Sequence, residues 1–187
     1  MTKFYFVLFF TPAVFCQSIL LDKGTTSISG AYSFASNDVI TNSGAAFIFS
    51  LSGVLDAGID YSEAGLLSVL SYTIRRDSTP GGISFSAGYF ADESGNGGGP
   101  IAAITAGIRL LSNEKLALLS VVGISYAFYS SRGSGINDSR ALTFELPFRY
   151  INNKFGFFVS PAFAYDLERK KNEFVFGFST GLLVVLN

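Results

Sequence analysis

The stretch Phe174 to Asn187 reads Phe-Val-Phe-Gly-Phe-Ser-Thr-Gly-Leu-Leu-Val-Val-Leu-Asn. Side chains alternate across an extended chain, so Phe174, Phe176, Phe178, Thr180, Leu182, Val184 and Leu186 share one face. Val175, Gly177, Ser179, Gly181, Leu183 and Val185 share the other. The first face is broad and apolar, the second is small over its first half, and no charge follows Glu173. A sheet with one wet face would place Lys or Glu there. A strand whose broad face meets hydrocarbon needs neither.

The same alternation recurs upstream. Segment 24–36 sets Thr26, Ile28, Gly30, Tyr32 and Phe34 against small residues. Segments 44–51, 54–61, 65–76, 83–91, 101–111, 116–130, 140–151 and 155–167 repeat the pattern. With 174–187 they make about ten strands, each long enough to cross a bilayer when tilted. Eight remain if two of the weaker segments are loops. The connections are expected to alternate between tight turns (52–53, 77–82, 112–115, 152–154) and longer or more charged loops (37–43, 92–100, 131–139, 168–172). Residues 62–64 are short where a longer loop is expected.

Composition points the same way. A chain of 187 residues holds one domain. It is 49% hydrophobic and only 14% charged, with 20 Phe, 9 Tyr and no Trp. That is too apolar for an ordinary soluble domain. Yet beyond the N-terminus no apolar run is long enough for a membrane helix. A formal net charge of −1 argues against nucleic acid as a partner.

A soluble barrel of the lipocalin kind also alternates, with its apolar side inward, so the second face has to decide. It carries mainly Ser, Gly, Ala and Val, with isolated Asp56, Asp60, Arg75, Arg109, Glu145 and Arg149. An Arg facing lipid at mid-membrane costs roughly 2–4 kcal/mol, so these charges are expected in a lumen. In lipid an unpaired strand edge leaves N–H and C=O groups without partners, which requires the sheet to close. The expected fold is therefore all-β: a closed antiparallel transmembrane β-barrel. Tyr32, Phe34, Tyr61, Tyr89, Phe128, Tyr129, Tyr150, Phe155 and Tyr165 near strand ends are placed to form interfacial girdles.

Ser179, Gly181, Val184 and Leu186 follow a polar-x-Gly-x-x-apolar-x-apolar order. This resembles the C-terminal assembly signal of outer-membrane β-barrel proteins, although Leu186-Asn187 stands where that class commonly has an aromatic residue. Over 24–187 the chain resembles a small bacterial outer-membrane β-barrel protein, porin-like in its alternation. The resemblance implies residence in a Gram-negative outer membrane within the cell envelope. It also implies insertion by the barrel-assembly machinery and contact with the lipid bilayer and lipopolysaccharide. A monomer is expected.

The N-terminus reads as a separate element. Lys3 precedes an apolar run from Phe4 to Phe10, and Pro12 breaks it. Cleavage after Cys16 would remove a signal peptide, 1–16, and release Gln17. Residues 17–23 are then expected as a periplasmic linker and 24–187 as the barrel. Lipidation of Cys16 would call for a small residue where Phe15 stands. Cys16 is the only cysteine, so the mature chain carries no disulfide.

Catalytic chemistry has little to work with. There is no histidine and no mature cysteine, so the usual general base and thiol nucleophile are missing. No enzymatic activity, metal or cofactor is expected. Asp92, Ser94, Asn96 and Gly97 match the first half of a calcium loop, but Ala103 stands where the bidentate Glu belongs. Residues 168–171, Glu-Arg-Lys-Lys, read as a solvated hairpin tip that could meet lipopolysaccharide phosphates. The inward charges offer two roles: an ion-paired plug in a structural or surface-interaction barrel, or the constriction of a narrow channel for small polar solutes. A soluble periplasmic ligand-binding β-barrel is a third reading.

Overall fold

A computed structural model describes residues 17–36, 41–75, 81–113, 115–131, 135–167 and 174–187. A short helix, α1 (Gln17–Leu20), precedes the strands β1 (Ser27–Ser36), β2 (Thr41–Leu51), β3 (Leu55–Ser62), β4 (Gly65–Ile74), β5 (Gly81–Asp92) and β6 (Gly97–Ser112). Then follow β7 (Leu116–Ser131), β8 (Gly135–Glu145), β9 (Phe148–Asn152), β10 (Phe155–Asp166) and β11 (Phe174–Val185). Each strand pairs antiparallel with its neighbours, and β11 returns to β1 over the register Ser27↔Val185 to Ser36↔Phe176. The sheet is closed.

Strands β8 and β9 are two halves of one path. Both lie between β7 and β10, and the register runs on from Val121↔Glu145 to Leu118↔Phe148. The break falls at Leu146 and Pro147, where proline has no N–H to give the ladder. The flanking bonds survive: Leu119 N donates to the Pro147 carbonyl (3.0 Å) and Leu146 N to that of Pro161 (3.1 Å). The wall therefore has ten strands, not eight.

Both ends of the strand run, with turns 52–54, 113–115 and 153–154, lie on one rim, called here the terminal rim. Ser52 and Gly53 both have positive φ (54° and 59°), the geometry of a tight hairpin whose twist matches its strands. The loops expected on the opposite rim are shorter than the sequence suggested. Residues 41–43 belong to β2, 97–100 to β6 and 135–139 to β8, while 81–82 belong to β5. Glycine and serine runs read as loops, but a ladder uses only backbone groups, so a closed sheet can recruit them. Turn 93–96 is closed locally: the Asp92 carboxylate accepts from Ser94 Oγ (2.7 Å) and Asn96 N (3.3 Å). The half calcium-loop pattern is thus a self-capped turn. Residues 76–80, 132–134 and 168–173 lie outside the described residues, and so does the basic stretch 168–171.

The broad faces point outward. Tyr32, Phe47, Ile59, Leu70, Phe85, Ile104 and Leu182 are all at least 45% exposed. Aromatic pairs tile this surface, among them Phe163–Phe176 (5.3 Å between ring centroids) and Tyr165–Phe174 (5.1 Å). Of the aromatic residues expected as girdles, Tyr32, Phe34, Tyr61, Tyr89, Phe128 and Phe155 are outward and exposed. Arg140 also faces out and lies over the Tyr126 ring (5.3 Å), a stacked position that screens its charge. A soluble barrel would bury these apolar faces and turn its charges out, so the soluble alternative fails here.

Inward side chains are small on most strands, with large apolar ones set among them. Ile48, Leu67, Phe90 and Phe158 are each no more than 3% exposed and belong to one buried cluster. Gly181, part of the terminal pattern, has a packing reason to be glycine. A Cβ there would lie 2.6 Å from the Phe158 ring and would collide with the Gly30 carbonyl. Val184 and Leu186 face outward, and Ser179 faces in. Asn187 also earns its place: its Oδ1 accepts from Thr26 N (2.6 Å) and its Nδ2 donates to the Gly24 carbonyl (3.0 Å).

Candidate functional site

The described segment after the expected cleavage point is not a free linker. Ser18, Ile19 and Leu21 are buried to 2% exposure or less, inside the lumen at the terminal rim. Ile19 packs with Ala117, Leu119 and Val121 of β7. Gly107 of β6 makes the seat, since a Cβ there would lie 2.6 Å from the Ile19 side chain. The chain enters past the hairpin at 52–53, where Gly24 N donates to the Ser52 carbonyl (2.9 Å) and Thr25 N to that of Asp22 (3.1 Å).

The inward charges gather on this segment more than on one another. Asp56 accepts from Ser18 N (2.8 Å) and Ser18 Oγ (2.6 Å), and also from Ser50 Oγ. Arg109 donates through Nη1 to Asp22 Oδ1 (2.6 Å) and through Nη2 to the Leu21 carbonyl (2.7 Å). Arg75 donates to that same carbonyl from the end of β4. Arg149 Nη2 lies 3.9 Å from Asp22 Oδ2. A β-bulge between Arg109 and Leu111 reshapes the end of β6 where Arg109 reaches the segment. On the far side Arg149 is paired with small Ala117 and with Phe158, one strand to each side.

The other two inward charges stand apart. Glu145 is 1% exposed, with Ser160 Oγ at 3.5 Å from its Oε2. Asp60 is 5% exposed, between Ala46 and Leu67 in the register. Of the six inward charges read from the sequence, Asp56, Arg75, Arg109 and Arg149 converge on 17–22, whereas Asp60 and Glu145 do not. Ser18, Leu21, Asp22 and Ser50 complete the constellation and were not foreseen. Cys16 lies outside the described residues.

Electrostatics tie Asp22 to its partners. Burial alone would raise its carboxyl, but the Arg109 hydrogen bond and the charges of Arg109, Arg149 and Arg75 outweigh it. Together they hold the group below its ordinary value of 3.8. A carboxyl depressed by folding contributes stability above its unfolded value and loses it as pH falls through the lower folded one. Amide exchange of 17–22, corrected for intrinsic rates, is therefore expected to stay flat from neutral pH to 3.8 and to rise only below it. A rise beginning near neutral pH would contradict this assignment.

A closed antiparallel sheet with apolar side chains outward and its paired charges inward defines a membrane-spanning barrel of the outer-membrane type. No protein-family model matches the chain, and neither does any curated protein. Among solved structures it is similar to Neisserial surface protein A, NspA, at 12% identity over 86% of this chain and 95% of that one, with a TM-score of 0.48. It is also similar to the N-terminal β-barrel domain of Pseudomonas aeruginosa OprF (13% identity, 87% and 99% covered, TM-score 0.42). A third is Ail, the attachment invasion locus protein of Yersinia pestis (17% identity, 88% and 99% covered, TM-score 0.40).

Proposed function

We propose that this chain is an integral outer-membrane β-barrel protein with a structural or surface-interaction role and no catalytic activity. Its lumen is closed by its own inward side chains together with residues 17–22. The observation that carries this reading is the docked segment: Ser18 on Asp56, and Asp22 with the Leu21 carbonyl under Arg109. Beyond it, Ile48, Leu67, Phe90 and Phe158 occupy the lumen with apolar bulk. The bilayer and lipopolysaccharide surround the wall, the barrel-assembly machinery engages the strand bearing Ser179, Gly181, Val184 and Leu186, and the barrel acts as a monomer.

The test is single-channel recording of the refolded chain 17–187 in a planar bilayer. Verified insertion without conductance is the expected result. Discrete, salt-dependent steps whose selectivity changes in Arg149→Ala would replace this reading with a narrow channel. One feature favours that second reading, a run of lumen hydroxyls. Ser71 and Ser86 lie 2.7 Å apart and Thr73 Oγ1 donates to Ser84 (3.1 Å). Ser125 and Ser179 Oγ are buried without a hydrogen-bond partner among the described residues.

A further inference from the structure

The Asp56 carboxylate is 1% exposed, and the hydrogen bonds it accepts from Ser18 and Ser50 all come from neutral groups. A buried carboxylate held by neutral donors alone keeps most of its desolvation cost, and a nearby cation offsets it. One of those donors is the backbone N–H of Ser18, 2.8 Å from Oδ2. The backbone nitrogen of Gln17 is one residue further, so standard chain geometry puts it within about 4–6 Å of the same carboxylate. In an uninterrupted chain that nitrogen is an uncharged amide. Freed at a chain start, it is an ammonium at neutral pH.

We infer that hydrolysis of the Cys16–Gln17 bond creates the counter-ion of Asp56, so that removal of the leader is what locks residues 17–22 into the lumen. This rests on the reading that 17–22 closes the terminal rim. Water supplies hydroxyl to the Cys16 carbonyl carbon, the C–N bond breaks, and the released Gln17 amine takes up protons to become an ammonium. The geometry also speaks against the other fate of Cys16. A lipid anchor two residues from fully buried Ser18 has no route to the bilayer. An uncleaved chain would have to continue beside Asp56 within a lumen already occupied by Phe90 and Phe158.

The experiment compares refolded 17–187 bearing a free Gln17 amine with the same chain acetylated there, by amide exchange of residues 18–22. Acetylation is expected to speed exchange at least tenfold, and in Asp56→Asn the two forms should exchange alike. Equal protection of the free and acetylated chains overturns the counter-ion while leaving the closed lumen standing. Absence of protection in both forms overturns both. The barrel extracted from membranes is also expected to have the intact mass of a chain beginning at Gln17 with its amine. A different start, or loss of ammonia marking a cyclised and uncharged Gln17, overturns the proposal.

Discussion

Deleting residues 17–22 turns a silent barrel into a conducting, anion-selective one. The deletion removes Ile19 and Leu21, each worth about 1.5–3 kcal/mol of burial, and empties the seat beside Gly107. It also strips Arg75 and Arg109 of the Leu21 carbonyl and leaves Arg109 and Arg149 without Asp22. Three guanidiniums then line one mouth with their main carboxylate gone. Charges left in that state draw water in, because the alternative is unsolvated burial. Bilayer recordings of 23–187 should show discrete steps with anion preference, weaker at high salt as the charges are screened. Adding Arg109→Ala should reduce that preference. Persistent silence would mean that the apolar tier around Phe90 and Phe158 seals the lumen alone.

The second large effect lies on the outer face. Leu70 sits within β4, is 53% exposed, and pairs with Ala57 on one side and Ala87 on the other. Replacing it by Arg puts a guanidinium into hydrocarbon with no partner nearby. The expected loss is about 2–4 kcal/mol, read from denaturant unfolding in lipid vesicles. The same substitution near the rim, at Leu66, should cost less, because an Arg there can reach the interface. If Leu70→Arg left stability unchanged, this face would meet water and the membrane assignment would fall.

Much of the wall was legible because one physical rule governs it. Alternation placed Phe174, Phe176 and Phe178 outward and Val175, Ser179 and Leu183 inward, as they are. The cost of a charge in lipid likewise turned Arg109, Glu145 and Arg149 into the lumen. What alternation could not register was α1, whose few residues carry no period and whose burial depends on partners far along the chain. One signal was available. Arg75, Arg109 and Arg149 all fall near strand ends on the same rim, where the wall itself offers little besides Asp56. Asp22 was the acid next to that rim in sequence. Strand limits at 97–100 and 135–139 escaped for another reason: glycine and serine say little about a ladder built from backbone groups. Pro147 was passed over inside a strand, and the wall breaks there.

The seam between β1 and β11 sets a timetable. Ser27 meets Val185 only after the whole intervening chain has been made, and Asn187 then fastens Thr26 and Gly24. Until that moment β1 is a bare edge, and no partial barrel is free of exposed ladder groups. Nearly all pairing between adjacent hairpins is local, but closure is the most distant contact the chain makes, which places it late and makes it slow. The polypeptide must therefore travel as a complete, unfolded thread, and anything that stalls it short of β11 leaves a sticky ribbon in place of a barrel.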